Sequence, residues 1–456
     1  MTNHPGIRPR HYRPVEALVR RTSVDGDWDR RRDAVLAEVQ LEAADLGPAS
    51  PALVSSAHGA FERMLLAMPE YVFGDGDNAL LSAYADLLRK LPPEVEFVVA
   101  AHEGVRELVE HLFLEAGRMA PTLALLPDDL HFSVWAEDGY VGAVDADTGR
   151  TFLLEPFSFP RYADSLIADA VSNRTTIAHS QTPLYFQGGN VLVGDEFWLI
   201  GADYPANTLA YFGGVLRPDP DETREETVRR LYREHLDPDR TLAYVGSRVP
   251  VPSQTRRRFE LDGETWTEVL HMGNKPGTVQ PLFHIDMFLS LAGRDADGRY
   301  RVFVGDPGLA AGILGIDPWP HAMQNVFDDI ARQLDDAGFA ALRNPLPLVY
   351  ADDVAERTRY WYFATANNAL VEIDDLRRRV WLPAYGFGAW AELEATDAAN
   401  AAAWEGIGFE ATLLTDFHAF AENLGAVHCI KKYLGRRGEP DAGAEAESEE
   451  PDFDVV

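Results

Sequence analysis

The chain contains one cysteine, Cys429, and this is the side chain best suited to nucleophilic chemistry. The small residues Gly425 and Ala426 stand just before it and leave room for a ligand beside the backbone. The thiolate is the nucleophilic form, although a lone cysteine is also commonly a small buried apolar residue. In an extended segment His428 and Cys429 point to opposite faces. We therefore expect a structural role for His428 and a different proton-transfer partner for Cys429.

The predicted partner is the His284-Ile285-Asp286 segment. On a strand, positions i and i+2 share a face, so His284 and Asp286 project together while Ile285 packs into the core. Histidine titrates near neutral pH and both accepts and donates a proton. A core histidine or a cross-strand polar pair is the alternative interpretation.

Two more segments carry polar residues next to aromatic ones. Glu137 and Asp138 follow Trp135, a pattern that is by itself typical of a solvated hairpin edge. Gln187-Gly188-Gly189-Asn190 precedes a short apolar strand and is by itself typical of a tight turn in which Asn190 takes a positive φ.

Together these residues suit chemistry on a guanidinium carbon. A guanidinium is planar and presents paired N–H donors that carboxylates accept in bidentate fashion. Two carboxylates clamp the cation and hold its central carbon against the sulfur. Thiolate addition then gives a tetrahedral adduct, histidine protonates the leaving nitrogen, and water or an amine releases the thiouronium.

The order of the motifs resembles that of the guanidine-modifying, or pentein, superfamily, closest to bacterial peptidyl-arginine deiminase-like and agmatine deiminase-like proteins. The superfamily pattern is an acidic residue after an aromatic segment, a Gly-Gly-Asn turn, a His-x-Asp and a Gly-Gly-x-His-Cys. The resemblance spans about Met64 to Arg436, and Thr365–Glu372 is similar to an Asn-rich strand of bacterial peptidyl-arginine deiminase-like proteins. The corresponding residues here are Asp138, Gly188-Gly189-Asn190, His284-Ile285-Asp286 and Gly425-Ala426-Val427-His428-Cys429.

The resemblance implies that Cys429 is the nucleophile, His284 the general acid and base, and Asp138 and Asp286 the guanidinium clamp. Asn190 and Glu137 are further candidates for substrate binding. It also implies an α/β (α+β) pentein fold, a fivefold αβ propeller, and deimination of an arginine-like, agmatine-like or peptidyl-arginine substrate without a cofactor or metal. The alternatives are an amidinotransferase, which hands the amidino group to an amine, and a non-catalytic protein that binds a cationic ligand.

The sequence departs from the superfamily pattern at two positions. Many members carry arginine before the clamp aspartate, where this chain has Glu137, and the second glycine of the last motif is Ala426. The first departure leaves the choice of substrate open. Arg161, Arg357 and Arg359 are candidates for binding a substrate carboxylate, or are simply solvated.

Composition limits the classes of molecule that we expect the protein to bind. The 456 residues carry a formal net charge of −32, which disfavours nucleic acids and anionic membranes. Such a field attracts a cationic guanidino compound or arginine side chain, although it also serves solubility alone. One cysteine excludes an internal disulfide framework and a zinc site with several thiolates. No apolar leader or apolar run of membrane length is found, so we expect a cytoplasmic protein. The sequence does not indicate an oligomeric state.

The pattern along the chain predicts three parts. Residues 1–58 form an N-terminal helical extension that includes a helix over Trp28–Ala44 and a linker-like break at 47–51. Residues 59–437 form the pentein catalytic domain, in which short strands alternate with amphipathic helices. Residues 438–456 form an acidic, disordered tail. Asp/Gly turns predict hairpins at 147–149 and 297–298, and a faint repeat predicts a recurring αβ module of unknown number.

Overall fold

The computed structural model describes residues 47–74, 78–212, 216 and 218–438. The predicted helix over Trp28–Ala44 and residues 439–456 of the predicted tail lie outside them. The described strands are β1 (Pro51–Leu53), β2 (Ala60–Met68), β3 (Glu96–His102), β4 (Thr122–Leu126), β5 (Val141–Asp145), β6 (Thr151–Glu155), β7 (Ala178–Gln181), β8 (Val191–Val193), β9 (Phe197–Gly201), β10 (Thr241–Val245), β11 (Thr255–Leu261), β12 (Glu264–Leu270), β13 (Leu289–Arg294), β14 (Tyr300–Asp306), β15 (Ala340–Pro345), β16 (Leu348–Asp353), β17 (Thr358–Phe363), β18 (Leu370–Ile373), β19 (Arg378–Ala384), β20 (Glu410–Asp416) and β21 (Lys431–Arg437).

Helices connect these strands. Within the described residues they are α1 (Ala79–Lys90), α2 (Arg106–Glu115), α3 (Tyr162–Ser172), α4 (Asp203–Phe212), α5 (Arg224–Leu236), α6 (Pro307–Leu314), α7 (Gln324–Asp336), α8 (Glu394–Glu405) and α9 (His418–Ala421). Their ends follow local chemistry. Thr223 and Glu226 form a capping box at the start of α5, and Pro307 begins α6, which ends at Gly315 with a φ of 63°.

One pattern of strand pairing recurs five times in the described part of the chain. A first strand pairs antiparallel with a second, and the second pairs in parallel with a third that is reached through one or two helices. The five units are β21-β2-β3, β5-β6-β7, β8-β9-β10, β13-β14-β15 and β18-β19-β20. The mixed αβ class predicted from the sequence is therefore confirmed. The number of units was not readable from the sequence, and their arrangement as a propeller stays a prediction.

Two additions extend these units. β4 and β1 lengthen the first two sheets by pairing with β3 and β5. Four further strands form a separate sheet in the order β11-β12-β17-β16. In the sequence, β11 and β12 precede the fourth unit, and β16 and β17 follow it. We call these four strands the inserted sheet.

The pairing of β2 with β21 joins the first unit to the last part of the described chain. Ala60 lies opposite Arg437, and Leu66 lies opposite Lys431. β1 falls inside residues 1–58, and it forms a sheet where the sequence predicts a linker-like break and extension. Leu53 is buried there because β1 packs into the second unit. The predicted boundary at residue 59 is thus preceded by at least one strand of the domain.

The predicted Asp/Gly hairpins are present. Residues 146–150 connect β5 to β6 with Gly149 at a φ of 69°, and residues 295–299 connect β13 to β14 with Gly298 at 84°. Both glycines occupy the left-handed region that side chains disfavour. Among the described residues, no helix is both long and apolar enough to cross a membrane.

Candidate active site

Each of the five units contributes the segment that immediately precedes its first strand. These segments end one to three residues before β5, β8, β13, β18 and β21. Hydrogen bonds and close contacts connect them to one another, as described below. The segments are 135–138, 187–190, 284–287, 367–368 and 428–429.

Cys429 lies in a buried turn, where the sequence interpretation assumed an extended segment. Asn368 holds this turn from the neighbouring unit. Its Oδ1 accepts hydrogen bonds from the backbone N–H groups of His428 and Cys429 at 2.9 and 3.2 Å. Its Nδ2 lies 3.2 Å from Sγ of Cys429. Asn368 therefore fixes both the backbone and the sulfur of the candidate nucleophile.

His428 faces the same site as Cys429, which corrects the prediction that the two side chains diverge. Nδ1 of His428 lies 2.9 Å from Oδ2 of Asp286, and Sγ of Cys429 lies 3.7 Å from the same oxygen. The reason is the turn, which does not alternate side chains as a strand does. His428 thus orients Asp286 through a buried hydrogen bond.

His284 and Asp286 also share a face, although not by strand geometry. Ile285–Met287 is a 3₁₀ turn. Nε2 of His284 lies 2.8 Å from Oε1 of Gln187. An amide oxygen only accepts, so this contact assigns the imidazole proton to Nε2 and leaves the lone pair on Nδ1. Nδ1 lies 3.6 Å from Oδ1 of Asp138.

Gly189 lies against both His284 and Asp286. A Cβ at this position would lie 2.5 Å from Nδ1 of His284 and 3.2 Å from Oδ2 of Asp286. The first distance is far inside van der Waals contact. Glycine is needed here for close approach of the backbone to the imidazole, because a side chain would displace His284.

Asp138 is held by an arginine of its own chain. Nη2 of Arg161 donates to Oδ2 of Asp138 at 2.6 Å, and Nε of Arg161 donates to Asp164 at 2.5 Å. The guanidinium neutralises one edge of the Asp138 carboxylate and leaves Oδ1 facing His284. Because Arg161 is bonded to both Asp138 and Asp164, it holds the Asp138 carboxylate in a fixed orientation.

Glu137 and Asn190 were predicted to bind substrate, and the structure places their polar atoms elsewhere. The two oxygens of Glu137 accept from Nζ of Lys431 and Lys432 at 2.8 and 2.7 Å. Oδ1 of Asn190 accepts from the backbone N–H of Ile285 at 2.9 Å and from Gln280 at 2.9 Å. Glu137 therefore ties the Asp138 turn to β21, and Asn190 holds the 3₁₀ turn that carries Asp286.

Three buried polar atoms of the site have no hydrogen-bond partner among the described residues. They are Oδ1 of Asp138, Oδ1 of Asp286 and Nδ1 of His284. Buried polar groups are nearly always hydrogen-bonded, and an unpaired one is costly. Two acidic oxygens and an imidazole nitrogen thus offer acceptors next to the thiol, which is the complement of a multidentate N–H cation.

The pKa of each candidate reacting group is shifted against the charged form of that group. Burial raises the pKa of the Cys429 thiol well above its ordinary value, and the carboxylates of Asp286 and Asp138 raise it further. Burial also raises the pKa of Asp286 well above its usual range, and that of Asp138 despite Arg161. Burial and the charge of Arg161 lower the pKa of His284 to about 3, so its imidazole is neutral at pH 7.

A possible metal-binding group lies away from this site. Ligand atoms of Glu155, Asp169 and His179 lie within 4.8 Å of one another. Nδ1 of His179 already hydrogen-bonds to Glu155 at 3.0 Å. The hydrogen bond accounts for part of this arrangement, and none of the three belongs to the five segments around Cys429.

Comparison with solved structures shows which known fold the chain has. The C. jejuni agmatine deiminase matches at 14% identity and a TM-score of 0.52, over 85% of this chain and 98% of its own. The Enterococcus faecalis agmatine deiminase matches at 13% identity and a TM-score of 0.53, over 85% and 96%. This chain has the fold of these agmatine deiminases. They are pentein superfamily members, so the resemblance inferred from the motifs is confirmed for the fold.

Neither a protein-family model nor a curated protein sequence matches the chain. The chain thus shares the fold of the two agmatine deiminases at a sequence identity of only 13 to 14%. This is consistent with a site built from five separate segments whose spacing along the chain is set by the fold.

Three residues of the site were not predicted to belong to it: Asn368, Gln187 and, as a partner of Asp138, Arg161. Asn368 lies in the Asn-rich segment already singled out, and Gln187 begins the Gly-Gly-Asn turn, so both stood inside recognised motifs. Their contacts with Cys429 and His284 cross 61 and 97 positions, which the local pattern does not indicate.

Replacing Gly189 with alanine should lower kcat/KM about 100-fold. The new Cβ would lie 2.5 Å from Nδ1 of His284, so the imidazole must move away from its position beside Asp138. Steady-state kinetics with a turned-over guanidine measures the loss. Gly312→Ala is the matched control: a Cβ on Gly312 meets no atom within 4 Å and lies in α6, so activity should stay at the wild-type level. Wild-type kinetics in Gly189→Ala would show that the position of His284 does not matter.

Proposed function

We propose that the chain is a guanidino-group hydrolase, a deiminase that converts a guanidinium and water into a ureido group and ammonia. The observation that carries this proposal is the set of unpartnered acceptors, Oδ1 of Asp138, Oδ1 of Asp286 and Nδ1 of His284, beside the only thiol. A planar cation with several N–H donors satisfies these atoms at once.

Binding and activation are coupled in this proposal. The raised pKa values of Cys429, Asp138 and Asp286 all reflect charged forms that burial disfavours. A guanidinium between the carboxylates favours the ionised form of each of these groups. The thiolate therefore forms when substrate is present, and the free protein keeps an unreactive thiol.

The reaction proceeds in two halves. The thiol of Cys429 gives its proton to Nδ1 of His284, and the resulting thiolate adds to the guanidinium carbon and forms a C–S bond. The imidazolium returns that proton to one amino group, which leaves as ammonia with its bonding electrons and gives an S-linked thiouronium. Water then adds to the same carbon while His284 takes its proton. Cleavage of the C–S bond releases the ureido product and restores the thiol.

Other residues position these groups. Gln187 keeps the proton of His284 on Nε2, and Asn368 holds Sγ of Cys429. His428 orients Asp286, and Arg161 orients Asp138. The contacts of Gln187, Asn368 and His428 each reach a reacting group of a different unit, whereas Arg161 and Asp138 belong to the same unit. Such positioning before the reaction begins is how preorganisation lowers the barrier.

The same segments support a ring of five units. In each unit the contributing segment lies just before the first strand, and contacts connect segments of different units. Units related by a rotation about a common axis place equivalent segments together at that axis. A fivefold αβ propeller with the site at its centre is the arrangement that we propose.

A substrate panel in ¹⁸O-labelled water tests the proposal. Arginine, agmatine, an arginine peptide and methylated arginines are incubated with the full chain, and ammonia and product mass are measured. The proposal predicts equal amounts of ammonia and of a ureido product that carries ¹⁸O from water. Transfer of the amidino group only when an amine is added would contradict hydrolysis and favour an amidinotransferase. Binding without turnover would favour a ligand-binding protein.

A further inference from the structure

An apolar pocket lies close to the candidate active site. Phe283, which lines it, stacks on His284 with ring centroids 3.8 Å apart and an interplanar angle of 22°. Met287 lines it too, and its Sδ lies 3.6 Å from Nδ2 of Asn368, the nitrogen that contacts Sγ of Cys429. Phe283 and Met287 thus line the pocket and also contact residues of the candidate site.

The inserted sheet supplies one wall of the pocket. Leu348 of β16 and Trp361, Tyr362 and Phe363 of β17 line it. These strands lie outside the five repeated units that build the reacting groups. The repeated units thus supply the candidate reacting groups, while the inserted sheet supplies part of the pocket lining.

The pocket has no formal charge at neutral pH in the part of the chain that the structure describes. Its lining includes no Asp, Glu, Lys or Arg side chain. Its two histidines are His271 and His321; burial lowers the pKa of both, that of His321 to about 4, so both are neutral at pH 7.

The arginines first considered for a substrate carboxylate are engaged elsewhere. Arg357 pairs with Glu264 at 3.1 Å, and Arg359 pairs with Asp352 through two hydrogen bonds of 2.7 and 2.8 Å. Arg161 is bonded to Asp138 and Asp164. A charged tail placed in the pocket would lose its hydration without meeting an opposite charge in the lining, which disfavours the free amino acid and a terminal amine.

We propose that this pocket binds an uncharged, apolar or aromatic tail of the guanidino substrate, so that the substrates are alkyl- or arylguanidines or guanidines within an apolar neighbourhood. The inference rests on the proposed function for the placement of the guanidinium. Aromatic and thioether side chains favour such tails through burial of apolar area.

Binding to the full-length Cys429→Ala protein tests the tail separately from turnover. Calorimetry compares arginine, agmatine, and n-alkylguanidines of two to six carbons with phenethylguanidine. Each added methylene should tighten binding about threefold to fourfold, and hexylguanidine should bind at least about tenfold more tightly than agmatine. Turnover of the same series by the wild-type protein is measured in parallel.

A second test of the proposal places a charge in the lining of the pocket. Met272→Glu, at a half-buried lining position, should reduce the preference for hexylguanidine over agmatine by at least about tenfold, because the carboxylate binds the terminal ammonium. Met119→Glu is the matched control: Met119 is 79% exposed and lies outside the lining, so the preference should not change.

The outcomes separate the two proposals. Equal or tighter binding of arginine or agmatine than of hexylguanidine overturns the apolar tail, whatever the turnover. A ladder of affinities without any turnover by the wild-type protein supports the tail and overturns the hydrolase. Absence of binding by every guanidine overturns both. An unchanged preference in Met272→Glu also counts against the pocket.

Discussion

Replacing Cys429 with alanine should lower the rate of guanidine turnover by at least about 10⁴-fold while leaving guanidine binding in place. The reason is that no covalent intermediate forms without the sulfur, whereas Asp138, Asp286 and His284 keep their positions. The loss of the two hydrogen-bond contacts of Sγ, to Asn368 and Asp286, should cost about 1 to 3 kcal/mol of the free energy of unfolding. Steady-state kinetics and calorimetry measure the two effects separately.

Intact-mass analysis gives a direct view of the same step. After an acid quench during turnover, wild-type protein should carry the mass of the amidino adduct on Cys429, and the alanine variant should not. A control with the ureido product alone should leave both proteins unmodified. Retention of the wild-type rate by Cys429→Ala would remove the nucleophile from the mechanism.

Replacing Asp286 with asparagine should lower kcat/KM about 10³-fold and raise the melting temperature at neutral pH. The amide no longer attracts the guanidinium as an anion does, and it puts a donor where an acceptor is needed. The carboxyl of Asp286 is 1% exposed, and burial together with the charges of Glu137 and Asp138 raises its pKa well above the usual range. Its ionised form is therefore a cost to the folded state.

The sign of this effect sets the pH at which it is visible. A carboxyl whose pKa is higher in the folded state binds protons more tightly there than in the unfolded chain. Its contribution to stability therefore falls as the pH rises from the unfolded pKa of about 4 towards the folded one. The melting temperatures of Asp286→Asn and wild type should be close at about pH 4 and diverge towards neutral pH, with the variant the more stable.

A buried aspartate outside the site serves as the control. Asp237 is 0% exposed, and it accepts from the backbone N–H of Leu53 at 3.0 Å and from Arg240 at 2.6 Å. Asp237→Asn should lose about 3 kcal/mol of unfolding free energy, because the buried ion pair between Asp237 and Arg240 is broken, and should keep wild-type kcat/KM per folded molecule. A loss of stability in Asp286→Asn similar to that in Asp237→Asn would mean that Asp286 is a structural residue.

The candidate reacting residues could be identified from the sequence, but the arrangement of their side chains could not. Cys429 is the only cysteine, and Asp138, His284 and Asp286 stand in short motifs in a recognisable order. The structure gathers the same residues around one thiol, while their roles stay a prediction. Their positions are readable because the type of each residue limits the chemistry that it can do.

The local conformation was predicted wrongly for a physical reason. Alternation on a strand was assumed for His428 and Cys429 and for His284 and Asp286, but both pairs lie in turns just before their strands. The backbone N–H groups there bond to side-chain amides, from Asn368 and Asn190, instead of to a neighbouring strand. Such long-range capping leaves no periodic signal in the sequence.

The contacts of Glu137 and Asn190 were not predictable from the sequence for a related reason, and substrate binding by these two residues stays a prediction. Glu137 bonds to Lys432 across 295 positions, and Asn190 bonds to Gln280 across 90. An acid next to a clamp residue and an asparagine in a glycine turn match a binding pattern as well as a structural one. Only the partner distinguishes the two cases, and the fold supplies the partner.

During synthesis, β21 leaves the ribosome after every other strand of the described domain. Cys429 stands two positions before it, and β21 has its sheet partner in β2, the first strand of the first unit. Pairing between such distant segments forms late, because the intervening chain must be ordered first. A nascent chain thus carries Asp138, His284 and Asp286 before Cys429 is in place, and the pairing of β21 with β2 is the step that brings Cys429 to them.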